Sequence, residues 1–490
     1  MDVRILLRAL CVIAAALVLA YGFWRTPTDP SDKWLEGCAI AFVLLLVAFW
    51  PSIPRGTGPF ERSLVRVGIV FCIAFLVLSF QLARLQVVSS ASYYNKQGTA
   101  ADGTLVMNLR SSLQLSKVMR GRIISADGKT IVGSQPLPGG GWERTYGDPN
   151  ATYLAGYYSP QMYGLSNIEE AYNQYLIGAK GDTAFNQWKR SVLEDTERGY
   201  DLTLTLNESL QDKASQLLGN RAGAVIVMNA KTGAILAMAS SPHEDPSKLA
   251  TSSSEMTDAQ QQQISAYWNS LLKSKDSPLL MRATQGLYVP GSIFKTVTAS
   301  AALETDQATP DSVYRDEGSL DVDGNIIPGD NRPNPNRVAY SLSDAYAYSL
   351  NVVFAQVGLA LGPTRLEDYA KHFGIGEKIP FDLPTAVGSL YSTPNYLTSQ
   401  AALADTAFGQ GQLLVSPLQM ALVADAVANG GNMMTPYLVQ KVSTYDGRTL
   451  QTFGPDVWQR AIASETATQM KQMMINSVEH GWANPATIPG

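Results

Sequence analysis

Apolar residues concentrate in three runs near the N-terminus. Ile5 to Trp24 is interrupted by Arg8, Gly37 to Trp50 is short and ends at Pro51, and Val67 to Val88 is long. A bilayer core of about 30 Å needs about 20 apolar residues in a helix. The pattern predicts a membrane anchor over residues 1–88 with about three transmembrane helices. The second run also suits a buried or re-entrant helix. The first has the length of a signal peptide but no obvious small-residue cleavage site ahead of soluble sequence.

Basic residues orient these runs. Arg4 and Arg8 precede or enter the first, and Arg55, Arg62 and Arg66 separate the second from the third. Arg25 and Lys33, between the first two, are offset by Asp29, Asp32 and Glu36. The excess of arginine predicts a cytoplasmic N-terminus and second loop. Everything after about Ser89 then lies outside the membrane, in a multi-pass protein.

Past the runs, residues 89–199 are polar with scattered Gly and Pro. "GRIISADGKTIVGS" predicts two strands around Asp127-Gly128. "NIEEAYNQYLIG" has helical spacing, with Ile168, Ala171, Tyr172 and Tyr175 on one stripe. From residue 200 the grain changes. Asp201 to Leu206 alternates as a strand, and Asn207 is placed to cap a helix carrying Leu210, Ala214 and Leu217 on one face. "AGAVIVMNAKTGAILAMASSP" predicts a β-hairpin around residues 229–233. Hairpin strands followed by a block of helical patterns predict an α+β fold, with helices on an antiparallel sheet.

Composition narrows the classes. A net charge of −5 gives no nucleic-acid footprint. His243, His372 and His480 are far apart in sequence and none adjoins a cysteine, so no metal site is expected. Cys11, Cys38 and Cys72 all fall in the apolar runs, where none can staple a soluble domain.

One lysine is out of place. In "LYVPGSIFKTVTASAAL", Lys295 stands in an apolar helical run three residues after Ser292, which itself follows Pro290-Gly291. Positions i and i+3 share a helix face. Burial among Leu287, Ile293, Phe294 and Val297 disfavours an ammonium, and a neutral amine can activate a hydroxyl. Ser270–Lys273 matches the same S-x-x-K spacing, but in a polar stretch. A second signal separates them. Ser349-Leu350-Asn351 is the one S-x-N in the chain and lies where one helical pattern breaks and an apolar one begins. S-x-x-K followed by S-x-N is the motif order of penicillin-recognising serine acyl-transferases.

From about Val65 onward the chain resembles the class B penicillin-binding proteins, the monofunctional peptidoglycan D,D-transpeptidases. "RGRIISADG" and "YGLSNIEEAYNQYLIG" are similar to that family's pedestal segments, with Asn167 in place of a glycine. "QGLYVPGSIFKTVTA", "AYSLNVVFAQVGLALG" and "FGQGQLLVSPLQMALVADAVANGG" are similar to its transpeptidase domain, in order and spacing. The resemblance implies a pedestal or dimerisation-type domain over 89–199 and a transpeptidase domain over 200–490. It implies Ser292 as acylated nucleophile, Lys295 as general base, Ser349 as proton shuttle and Asn351 as amide binder. Gly409 and Gly411 would face substrate. It implies no metal or organic cofactor, stem peptides ending in D-Ala-D-Ala as donors, and β-lactams as inhibitors. A membrane glycosyltransferase of cell-wall synthesis is the implied partner.

The family's third motif, Lys-Thr/Ser-Gly, is expected after S-x-N and does not occur there. Lys231-Thr232-Gly233 precedes the nucleophile and reads as a hairpin turn. A C-terminally incomplete domain is therefore expected. Two other readings remain open: a membrane β-lactam receptor, which would need a signalling part with H-E-x-x-H that the chain lacks, and a catalytically incomplete scaffold of a wall-synthesis complex.

Overall fold

The computed structural model describes residues 3–24, 31–50, 58–87, 98–99, 105–106, 118–138, 140–180, 198–252 and 256–488. The chain divides into two compact units, Met1–Gln114 and Leu115–Gly490. In the first, helices span Val3–Trp24, Ser31–Phe49 and Pro59–Val87. They meet through Ala15, Leu19, Ala41, Leu45, Ile73 and Val77, while Ile13, Leu17, Val43, Phe71 and Phe75 point outward. Among the described residues one helix, over Pro59–Leu82, is long and apolar enough to cross a membrane. The apolar parts of the other two, Ile5–Tyr21 and Glu36–Phe49, are shorter than that. One span is thus supported where three were expected. The side chains of Arg4, Arg25, Lys33 and Arg55, and the expected boundary at residues 88–89, lie outside the described residues.

The second unit is α+β. Its largest sheet has six strands in the order Thr449–Thr452, Val439–Ser443, Asp201–Leu204, Ile123–Ile124, Thr130–Pro136, Trp142–Tyr146. The expected hairpin at Asp127-Gly128 forms, with Ile123 opposite Val132. Asp201–Leu204 pairs parallel with Ile123–Ile124 and antiparallel with Val439–Ser443. Sequence-distant strands on both sides of residue 200 therefore share one sheet. Leu202, Leu204 and Leu206 are all buried, as their alternation predicts.

Two helical expectations shift. The 167–176 segment breaks at Tyr172 into Asn167–Ala171 and Asn173–Leu176. The break exposes Ala171 and buries Glu169 and Leu176 along with Ile168 and Tyr175. Glu169 goes inside because Arg120 and Arg144 hold it. Arg120 Nη2 lies 2.6 Å from Glu169 Oε2, and Arg144 Nε donates to Oε1 at 2.8 Å. Burial alone would push this carboxyl up, but the two guanidinium groups outweigh it and hold it below the usual range. The second shift is in the Glu208–Leu218 helix. Asn207 caps it as expected, accepting from Leu210 N at 3.0 Å. Leu210 and Leu217 nevertheless face solvent, and Gln211, Ala214 and Leu218 are buried. Gln211 is inside because its amide bridges the backbone of Met238, accepting from N at 2.7 Å and donating to O at 3.0 Å, and donates to Asn150 O at 2.7 Å.

The Gly223–Met228 and Ile235–Ser241 strands form the second expected hairpin. Val225, Val227, Ala237 and Ala239 pack on the Glu208–Leu218 helix, and Ile226, Met228, Ile235 and Met238 face the main core. Apolar cover on both faces explains the continuous apolar runs. Behind them, the helices Lys295–Glu304, Asn351–His372, Gln400–Ala407, Pro417–Ala428 and Ser464–His480 build that core.

Removing Glu169 would leave two buried guanidinium groups facing each other without a counter-charge. Glu169→Ala is expected to cost about 3–5 kcal/mol of unfolding free energy, read from denaturant melts followed by fluorescence. A loss below about 1 kcal/mol would show that the ion triad does not hold the pedestal segment to the sheet.

Candidate active site

Pro290 ends an extended approach, and Gly291 turns the chain at φ 62°. A single 3-10 turn, Gly291–Phe294, then leads into the Lys295–Glu304 helix. This leaves Ser292 exposed and draws Lys295 inside, only 1% exposed. Opposite, the Leu342–Ala347 helix stops and Ser349 adopts φ 56°. This left-handed conformation is uncommon for a residue with a Cβ and costs on the order of 1 kcal/mol or more. The Asn351–His372 helix starts two residues later. The break expected at Ser349 is therefore present, and it turns the Ser349 carbonyl and hydroxyl toward Lys295.

Lys295 Nζ lies within hydrogen-bond distance of Ser349 O at 2.7 Å, Asn351 Oδ1 at 2.7 Å, Ser349 Oγ at 3.0 Å and Ser292 Oγ at 3.1 Å. The Phe354 ring lies 5.4 Å from the ammonium. All four partners are neutral oxygens. Among the described residues no carboxylate offsets the loss of solvation, and burial pushes the ammonium down to about 7. A lysine at its ordinary pKa would be neutral in roughly one molecule in several thousand at pH 7. Burial makes a substantial neutral fraction accessible to this one near neutrality.

The structure thus brings four expected residues, Ser292, Lys295, Ser349 and Asn351, within hydrogen-bond reach of one nitrogen. A cavity of about 530 Å³ opens beside them, lined by Ser292, Lys295 and Ser349 and walled by Met420, Val423, Met474, Val478 and Trp482. Gly409 and Gly411 do not line it. Gly409 O accepts from Gly291 N at 2.9 Å, and a Cβ on Gly409 would fall 1.8 Å from Gly291 O. Two further backbone bonds, both 2.9 Å, join Tyr288 and Val415. The 409–415 segment therefore clamps the strand that delivers Ser292. Gly411 has φ 73°, and its Cβ position is crowded by the Tyr396 hydroxyl at 2.7 Å.

The rejected matches are elsewhere. Ser270 donates to Tyr267 O at 2.6 Å on an exposed helix, and Lys231-Thr232-Gly233 forms a hairpin turn closed by Gly233 N to Asn229 O at 2.8 Å. Sequence reasoning missed Asn331, whose amide donates to Ser349 O, and Phe354. Phe354 sits three residues after Asn351, so helical spacing could have found it. Asn331 lies in an irregular loop and left no signal.

An exposed hydroxyl beside a buried amine able to lose its charge near neutrality is the equipment of a serine acyl-transfer centre. Comparisons sharpen this. Residues 223–490 match the penicillin binding protein transpeptidase domain, and residues 120–202 match the penicillin binding protein A dimerisation domain. A peptidoglycan D,D-transpeptidase PbpA of Mycolicibacterium smegmatis is 30% identical, over 85% of this chain and 82% of the relative. Penicillin-binding protein A of M. tuberculosis, solved as an acyl-enzyme complex with a cephalosporin, superposes with a TM-score of 0.69 at 27% identity, over 77% of this chain and 84% of that one. A D,D-transpeptidase domain from Eggerthella lenta gives 0.65 at 31% identity, over 76% and 85%. This chain belongs to the penicillin-binding protein transpeptidases, in their class B branch.

The Gly409 contact is testable. Gly409→Ala adds a methyl against Gly291 at a φ of 91°, so the clamp must open. Covalent labelling by a fluorescent β-lactam is expected to slow by about tenfold or more, because small misplacements of a nucleophile are costly. Labelling at the wild-type rate would show that the clamp does not position Ser292.

Proposed function

We propose that this chain is a membrane-held peptidoglycan D,D-transpeptidase in which Ser292 is the acylated nucleophile and Lys295 its general base. The observation that carries the reading is the buried Lys295 amine, contacting Ser292, Ser349 and Asn351 and no counter-charge. A neutral amine has two N–H bonds and one lone pair. The two shortest contacts, to Ser349 O and Asn351 Oδ1, occupy the N–H bonds. The lone pair is then left facing the Ser292 and Ser349 hydroxyls.

In acylation, Ser292 Oγ gives its proton to Lys295 Nζ and attacks the carbonyl of the penultimate D-Ala. The resulting oxyanion accepts from the Ser292 backbone N–H. The proton passes through Ser349 to the nitrogen of the terminal D-Ala, the C–N bond breaks, and D-Ala leaves. An amine of a neighbouring stem then attacks the ester, Lys295 takes its proton and returns it to Ser292 Oγ as the ester C–O bond breaks and the new amide forms. Asn351 holds the donor amide, while Gly409, expected to face substrate, acts through its packing against Gly291. A β-lactam acylates the same oxygen, but its leaving nitrogen stays tethered. Relatives described as acyl-enzyme complexes with penicillin G and imipenem support this step.

The wider reading divides the chain into an anchor over 1–88, a pedestal over 89–199 and a transpeptidase domain over 200–490. Three N-terminal helices would cross the membrane and place the catalytic domain outside, beside a membrane glycosyltransferase that supplies nascent strands. The Pro59–Leu82 helix and the outward apolar faces of the first unit support it.

Two experiments test this. Ser292→Ala is expected to abolish labelling by fluorescent penicillin, and Ser270→Ala to leave it intact. Lys295→Ala should slow labelling by about 10² to 10⁴. In the wild type, the labelling rate should fall about tenfold per pH unit below pH 7, because a lysine pushed down to about 7 is protonated there and cannot accept. A Ser292→Ala protein that still labels would refute the nucleophile, and would leave the chain as a scaffold or receptor. For topology, protease added to intact spheroplasts should remove the portion after Ser89, and protection of that portion would refute the orientation.

A further inference from the structure

Away from Ser292, a separate cavity of about 160 Å³ lies where the pedestal segment meets the transpeptidase fold. Tyr153 and Tyr157 line it from one side, and His243, Glu244 and Trp268 from the other. Its frame is fixed. The Tyr153 hydroxyl donates to Met238 O at 2.6 Å and accepts from Ser240 N at 2.9 Å. His243 stacks on Tyr153 with ring centroids 4.1 Å apart, and Trp268 meets Tyr157 edge-on at 6.0 Å. Tyr163 stacks behind Trp268 at 4.3 Å.

Glu244 is the anomaly. It is 8% exposed, lines the cavity, and makes no ion pair among the described residues. The other buried carboxylates among the described residues, Glu169, Asp201, Glu208 and Asp316, each have a basic partner. Burial pushes the Glu244 carboxyl up to about 7, and the neighbouring Asp245 charge adds to this, opposed by the backbone N–H of Glu244 itself. A buried carboxyl with no cation and aromatic rings around it lacks one partner, a compact positive charge. Such a charge would pair with the carboxylate and meet the negative faces of the rings. A neutral ligand would gain only the apolar contact.

We propose that this cavity is a binding site for a small alkylammonium group, with Glu244 as its counter-ion and Trp268 and Tyr157 as its aromatic walls. Nothing in the acyl-transfer chemistry uses these residues. The wall continues through Met281 and Gln285, on the segment that leads to Ser292, and Arg282 N donates to Ser240 Oγ at 2.9 Å. The site therefore adjoins the support of the catalytic segment without touching it.

The test uses the full chain in detergent. n-Butylammonium chloride and 1-butanol, equal in chain length and different in charge, are titrated and followed by ligand-observed NMR. Saturable binding of butylammonium is expected, at least about tenfold tighter than butanol. Glu244→Gln should remove that preference while leaving penicillin labelling of Ser292 unchanged, which shows that the variant is folded. Trp268→Leu should weaken butylammonium more than butanol and serves as an independent variant. Nα-acetyl-lysinamide carries the same head group on a peptide: competition with butylammonium extends the site to peptide side chains, and lack of competition confines it to free amines. Equal affinity for butanol, unaltered selectivity in Glu244→Gln, or no saturable binding at all would each overturn the proposal.

Discussion

The active site depends on an ammonium group buried without a counter-charge. Lys295 is nearly inaccessible, and its hydrogen-bond partners among the described residues are all neutral oxygens. A carboxylate in the same place would keep the amine protonated and unable to accept a proton. Water in the same place would restore its ordinary pKa. The surrounding fold meets both conditions. Phe354 and the buried helices exclude solvent, and Ser349 O and Asn351 Oδ1 provide hydrogen-bond acceptors without a net charge. The left-handed Ser349 and the 3-10 turn at Gly291 follow from this, because they aim two hydroxyls and a carbonyl at one nitrogen.

The same chain solves an opposite problem at Glu169. There the buried charge is kept, flanked by Arg120 and Arg144, whose remaining N–H groups reach Asn173 Oδ1 at 2.7 Å and Gly121 O at 2.9 Å. Full pairing makes that group structural. It ties the 167–176 helical segment to the strand carrying Arg144 and to the segment around Arg120 that leads into Ile123–Ile124, and hence to the sheet that also receives Asp201–Leu204 and Val439–Ser443. The contrast between paired Glu169 and unpaired Lys295 separates a charge that holds the fold from one held ready to change.

Much of the site could be read from local spacing. Ser292 and Lys295 are one turn apart and Ser349-Leu350-Asn351 straddles a visible change in helical pattern, but spacing alone also fits Ser270–Lys273, and it was the order S-x-x-K then S-x-N, with the resemblance it carries, that named them. What escaped required contacts between distant segments. Gly409 against Gly291, and Asn331 on the Ser349 carbonyl, join parts of the chain that no periodicity links. The misplaced stripe at Leu210 and Leu217 has a different origin. Hydrophobic spacing assumes that apolar residues choose the buried face, but here Gln211 takes it because Met238 and Asn150 offer backbone partners. The split at Tyr172 has the same cause, since the Glu169 ion triad outweighs the apolar stripe that included Ala171. The six-stranded sheet was hidden because two-residue and four-residue strands on either side of residue 200 carry too little pattern to reveal their pairing.

Preorganisation follows from how these contacts are distributed. The segment carrying Ser292, the proposed nucleophile, is clamped by backbone bonds to Gly409 and Val415, which fix its position without a ligand. Lys295, the proposed proton acceptor, is held by Ser349 and Asn351 from a different part of the chain, with Asn331 in turn holding Ser349. Ser292 and Lys295 share one helical segment, and their side chains meet at 3.1 Å between Ser292 Oγ and Lys295 Nζ. A disturbance of the Gly409 clamp moves the hydroxyl and leaves the amine buried. A disturbance of the Ser349 turn leaves the hydroxyl in place and changes the amine's partners. In the proposed mechanism the Gly409 contact governs the position of the hydroxyl and the Ser349 turn governs the proton affinity of the amine, so acylation needs both to be correct at once.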